Sequence, residues 1–263
     1  MPRKPSDAAP RRPRPATGTA ARGQLFAAEA AYAESIFRWA VGDRRRGIEA
    51  LRSSHAALPT YAPAILSLGS LEYQRRRPAE GRRLFLSLLD LPDETPDLVE
   101  IIDEAGDFLI QRGRYADGLE LYRRAAARFP RVAVLHQGIG CCAGHKGLHD
   151  EAIAASRAAL VLEPENQKFV NDLGWSLHQA GRLDEARREL ERAVAMDPND
   201  ALAAENLRIC RGTAGARASR KRRRGRPGSV NSPGVEFHPL DDALVVSVRS
   251  CTSSSIGATV GPT

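Results

Sequence analysis

Four observations call for an all-α chain built as a solenoid of about five helix–turn–helix units. A 34-residue block recurs at 99–132, 133–166 and 167–200. Gly106, Gly140 and Gly174 share one column of it, Gly113, Gly147 and Gly181 a second, and Gly118, Ala152 and Ala186 a third. Apolar residues return at helical spacing within each block, as Val170, Leu173 and Leu177 and then Leu183, Leu190 and Val194 do in the last. Pro130, Pro164 and Pro198 close the blocks, where a residue without an N–H donor stops a second helix. One such unit is too small to bury its own apolar face, so the units have to stack.

Residues 1–27 hold six basic residues and one acid among many prolines, the composition of a disordered basic tail. Residues 28–61 form the weakest unit. Gly42, Gly47, Leu51 and Pro59 keep their columns, but Glu34 and Arg38 stand where apolar residues belong. Either the first helix is locally shifted or this end is a degenerate cap, and the cap is the favoured reading because terminal repeats are commonly atypical. Residues 62–95 keep Leu68, Gly69, Gly81, Phe85 and Leu88, with Glu72 as the misfit; the extra residues Pro96–Leu98 and the run Pro92–Pro96 imply a longer loop. Within each unit a glycine such as Gly181 ends the first helix in a left-handed turn. Asp184 is placed to cap the helix that follows, with Glu185 near its positive end. Gly174 and Ala186 let two antiparallel helices approach closely. Residues 201–213 read as a C-terminal capping helix and 214–263 as a second disordered basic tail. Each tail carries a net charge of +5 out of a total of +7, which leaves the repeats at −3.

The period and its columns resemble the tetratricopeptide repeat family over residues 28–212. The resemblance implies a right-handed solenoid and a protein–protein interaction scaffold or adaptor without catalysis. Its first helices would line a concave groove that holds a peptide or partner protein. In that register the groove-facing positions are Glu100, Asp103, Glu104 and Asp107 in the third unit, and Gln137, Cys141 and His145 in the fourth. Lys168, Asn171, Trp175, His178 and Gln179 follow in the fifth. The four acids fall on one helical face. The helix dipole suits the first three, and a basic ligand, a partner's segment or the chain's own Arg220–Arg226, would suit all four. Trp175 occupies a column not normally in the core and is either an exposed anchor or packed on the capping helix. Lys168 and Asn171 partly resemble the carboxylate clamp by which some family members hold chaperone C-termini, but Asp172 and the acidic third unit depart from it.

Nucleic acid is the alternative partner. Arg222, Arg223, Arg224 and Arg226 belong to a basic run whose core, Arg224-Gly225-Arg226-Pro227, resembles an AT-hook suited to a narrow minor groove; a merely solvated tail is the other reading. The chain has no phosphate-binding glycine loop, nucleophile elbow or metalloprotease motif, so no enzyme and no cofactor are expected. Cys141, Cys142, His145 and His178 could in principle hold a soft metal, but cysteines on such helices more often fill small buried spaces, and no metal is expected. No apolar run is long enough to span a membrane, and no secretory-type stretch is present. Four cysteines, two adjacent, read as reduced thiols. A cytoplasmic protein is expected, with a nuclear or nucleoid-associated one as the alternative.

Overall fold

The computed structural model describes residues 18–224, and these form eleven α-helices and no strand. The chain divides into two compact units at Leu68/Gly69. The first contains α1 (Thr19–Ala40), α2 (Arg44–Ala57) and the start of α3 (Ala62–Gln74). The second continues α3 and adds α4 (Pro78–Ser87), a 3-10 turn (Leu88–Asp90), α5 (Leu98–Gln111), α6 (Tyr115–Arg128) and α7 (Ala133–His145). It ends with α8 (His149–Leu162), α9 (Gln167–Gln179), α10 (Leu183–Met196) and α11 (Ala201–Arg224).

In the first unit, α1 and α2 meet along Ala28 and Ser35 on one side and Gly47, Leu51 and Ser54 on the other. The seam is partly polar. Ser54 Oγ donates to the carbonyl of Ala28 at 2.7 Å, and Ser35 Oγ to that of Tyr32 at 2.6 Å. Asp43 caps α2 by accepting from the Arg46 N–H. Glu34, the misfit of the first unit, is exposed and pairs one turn along with Arg38.

In the second unit the glycine columns explain how closely paired helices approach. A Cβ at Gly69 would lie 2.2 Å from Phe85, one at Gly106 2.2 Å from Tyr122, and one at Gly174 2.6 Å from Leu190. Those partners share one column, so each large side chain on a second helix lies over a glycine on the first. Leu173 and Leu177 of α9, Leu190 of α10, Ile153 of α8 and Leu207 of α11 form one cluster, so the last repeat is sealed on both sides. Gly113, Gly147 and Gly181 take φ of 66°, 72° and 73°. Arg76 occupies the equivalent position of the second repeat at φ 61°, a conformation that costs an L side chain energy. Arg128 secures the long loop before α5: it pairs with Asp93 and donates to the carbonyls of Leu89 and Leu91.

Three expectations need correction. The helix α1 begins at Thr19, inside the segment 1–27 read as a tail, because Thr19–Ala31 is alanine-rich and free of proline. The helix α11 continues past the expected cap 201–213 to Arg224, since alanine and basic residues sustain a helix and no proline intervenes. Asp184 is not the cap of α10. Arg182 holds that position without a side-chain bond, while Asp184 and Glu185 lie in the first turn. The remaining tail residues, 1–17 and 225–263, lie outside the described residues.

Candidate functional site

The first helices of the second unit stand side by side, α5 against α7, α7 against α9, and α9 against α11. Beside apolar contacts such as Val170 of α9 with Ala203 of α11, their facing columns carry polar residues. Gln137 Nε2 of α7 donates to Asp172 Oδ2 of α9 at 2.7 Å, and Asn206 Nδ2 of α11 donates to Asn171 Oδ1 of α9 at 3.0 Å. On α5, Asp103 accepts from the Tyr122 hydroxyl at 2.9 Å. The Gln137 and Asn206 bonds are polar rungs joining α7 to α9 and α9 to α11, and the Asp103–Tyr122 bond ties α5 to α6 within one repeat.

Burial changes the ionisation of these groups. Asp172 is pushed up to about 7, chiefly by desolvation, against the opposing bonds from Gln137 and Asn171. Asp103 is also raised by desolvation, and Tyr122 beneath it is raised well above the usual phenol range, again mainly by desolvation. His178 is lowered by burial and is therefore neutral near pH 7.

The expected groove residues separate into two groups. Glu100, Glu104 and Lys168 are exposed, while Asp103, His178 and Gln179 are half-buried. Asp107, Gln137, Asn171 and Trp175 are buried instead of exposed, Trp175 at 7%. Their columns face the neighbouring helix, so Gln137 and Asn171 act as rungs. The four acids of α5 consequently do not form one open strip: Glu100 and Glu104 face solvent, Asp103 is tied to Tyr122, and Asp107 is inside. Trp175 stacks on His178 with ring centroids 5.0 Å apart, and His178 Nε2 is 3.2 Å from the Thr213 hydroxyl of α11. The indole therefore sits beside the capping helix. The indole N–H is buried with no acceptor, and His178 Nδ1 is buried without a hydrogen-bond partner. Asp172 and Asn206 were not foreseen as rungs. The signal was available, since they are one 34-residue period apart.

Cys142 and His145 have a packing explanation, whereas Cys141 is disulfide-bonded and is not the reduced thiol expected. Cys142 is free, lies against Gly118 and has its thiol pushed up to about 12 by burial, the reverse of a metal-ready thiolate. The His145 ring stacks on Tyr115 at 4.0 Å. Among the described residues no three side chains converge as metal ligands, and no helix is long and apolar enough to cross a membrane. Of the tail arginines, Arg222, Arg223 and Arg224 fall in the last turns of α11, and Arg226 lies outside the described residues.

Two overlapping segments, 104–166 and 145–208, match the tetratricopeptide repeat family. A 101-residue stretch is 33% identical to the CTR9 homolog of Arabidopsis thaliana, covering 38% of this chain and 9% of that protein. Another similarity, 25% over 115 residues, is to the small glutamine-rich tetratricopeptide repeat-containing protein 2 of Mycosarcoma maydis, covering 44% of this chain and 33% of that one. The chain thus spans no more than about a third of the length of these curated relatives. Among solved structures, YrrB, described as a TPR protein with an unusual peptide-binding site, shares 17% identity at a TM-score of 0.49, covering 72% of this chain and 97% of its own.

Proposed function

This chain belongs to the tetratricopeptide repeat family through residues 104–208, and from that premise we propose that it is a non-catalytic adaptor for an extended, basic segment of a partner protein. The family fold is a protein–protein interaction scaffold. The finer reading rests on the face formed by α5, α7 and α9. Glu100 and Glu104 supply exposed negative charge at one end of it. At the other, the half-buried His178 ring is stacked on the buried Trp175 indole.

The observation that carries the proposal is the exposed pair Glu100 and Glu104, one turn apart on α5. From α5 to α9 is two interhelical spacings, roughly 20 Å, which about six residues of extended chain would span. A ligand of that length places basic side chains by Glu100 and Glu104 while its far end lies against the half-buried His178 and Gln179 of α9.

Calorimetric titration of the full chain with an Arg/Ala decapeptide and its Glu/Ala counterpart tests the reading. The basic peptide alone should bind, more weakly at higher salt and several-fold more weakly to a Glu100→Lys/Glu104→Lys variant of unchanged helicity. Equal affinity for that variant, or no heat at low salt, overturns it.

A further inference from the structure

The first unit carries an apolar surface that the groove does not use. On α1, Phe26 is 72% exposed and Phe37 56%, with Leu25, Ile36 and Val41 also exposed around them. Ala30 and Ala33 lie between the two rings and are exposed as well. A contiguous apolar patch of this kind marks an interaction surface rather than an ordinary solvated helix.

The repeat register says what kind of surface it is. Phe37 shares its column with Phe108 and Cys142. The Phe108 ring packs on Tyr73 and Phe85 of the repeat before it, at 5.9 and 5.8 Å, and Cys142 lies against Gly118 of the repeat before it. Ala30 shares its column with Leu135 and Phe169, both buried. The exposed face of α1 is therefore the one that later first helices use to stack on a preceding helix.

We propose that this face is covered by the same face of a second copy, α1 against α1, antiparallel about a two-fold axis. The spacing is what commits the proposal to a second copy. Phe26, Ala30, Ala33 and Phe37 are separated by four, three and four residues, a pattern that reads the same in both directions. A two-fold axis midway between Ala30 and Ala33 sets Ala30 against Ala33 of the other copy and Phe26 against Phe37. Small residues then sit at the crossing, where the backbones approach, and a phenyl ring closes each flank. Residues 1–17 offer no large apolar side chain beyond Met1 to cover the rings instead.

Light scattering on the eluting full chain, from micromolar to near-millimolar concentration, tests this. The mass should be that of a dimer, falling to a monomer on dilution. Phe37→Glu should give a monomer at every concentration with unchanged helicity, because the residue is exposed. Phe26→Glu with Phe37→Lys should dimerise more strongly than Phe26→Glu with Phe37→Glu, since the antiparallel pairing brings opposite charges together in the first and like charges in the second. A monomer throughout, or a dimer indifferent to Phe37→Glu, overturns the proposal. Equal behaviour of the two double variants overturns the pairing. A monomeric full chain that dimerises once residues 225–263 are removed assigns the face to that tail and overturns the second copy as its occupant.

Discussion

In the α1–α2 pair the close-approach column holds Ser35, and its hydroxyl turns back onto the Tyr32 carbonyl. In the α5–α6 pair the same column holds Gly106, with the whole Tyr122 ring laid over it. The next small column holds Ser54, bonded to Ala28, in the first pair and Ala125, Ala159 and Ala193 in the later ones. What the two regions share is side-chain size at the seam. What differs is that the first seam fills the space with a hydroxyl and a local hydrogen bond, whereas the α5–α6 and α9–α10 seams fill it with a large side chain from the opposite helix and the α7–α8 seam places the Ser156 hydroxyl there. A repeat can therefore keep its geometry while its apolar pattern fades.

The largest contrast should come from adding volume. Gly106→Leu drives a side chain into Tyr122 and should cost about 3 kcal/mol or more, whereas Ser35→Ala, which removes only a local bond, should lie within roughly 0.5 kcal/mol of the parent. Chemical denaturation of both variants checks this, and similar costs would erase the distinction between the seams.

A second contrast is electrostatic and confined to the later repeats. The Asp172 carboxyl is raised from 3.8 to about 7, so between those values the folded protein holds a proton that the unfolded chain has released. Stability must fall as pH rises through this window, and the full penalty is present above about 7. Asp172→Asn removes the ionisation while keeping an acceptor for Gln137. It should gain on the order of 1–3 kcal/mol at pH 8 and little or nothing near pH 4. Melting curves at the two pH values decide it; a gain independent of pH would remove Asp172 as the titrating group.

Smaller effects follow. Ser54→Ala should cost about 1 kcal/mol through the lost bond to Ala28. Arg76→Gly should stabilise by up to about 1 kcal/mol, because it relieves the left-handed strain that Gly113, Gly147 and Gly181 avoid at the same position. The corresponding Gly181→Arg should destabilise.

The helical repeat was legible because glycine, alanine and proline columns answer to backbone geometry, which recurs with the period. Positions whose role depends on a neighbouring repeat were less so. Gln137 and Asn171 look like groove residues in a single repeat, and only the helix beside them turns them into buried rungs. Trp175 admitted two readings, and His178 and Thr213 bring it to the side of the capping helix. Arg76 was invisible because a left-handed turn without glycine leaves no mark in the sequence. The length of α11 escaped because its distal turns present no apolar stripe, only residues that tolerate a helix.

The chain has two tryptophans, Trp39 in the first unit and Trp175 buried beneath the proposed peptide face of the second, so each unit carries its own reporter. Fluorine NMR of the full chain labelled with 5-fluorotryptophan, titrated with the Arg/Ala decapeptide, tests the central claim most directly. The account predicts that the Trp175 resonance shifts progressively while that of Trp39 stays fixed. A shift of Trp39 alone, or an unmoved Trp175 under conditions where calorimetry shows binding, would contradict it.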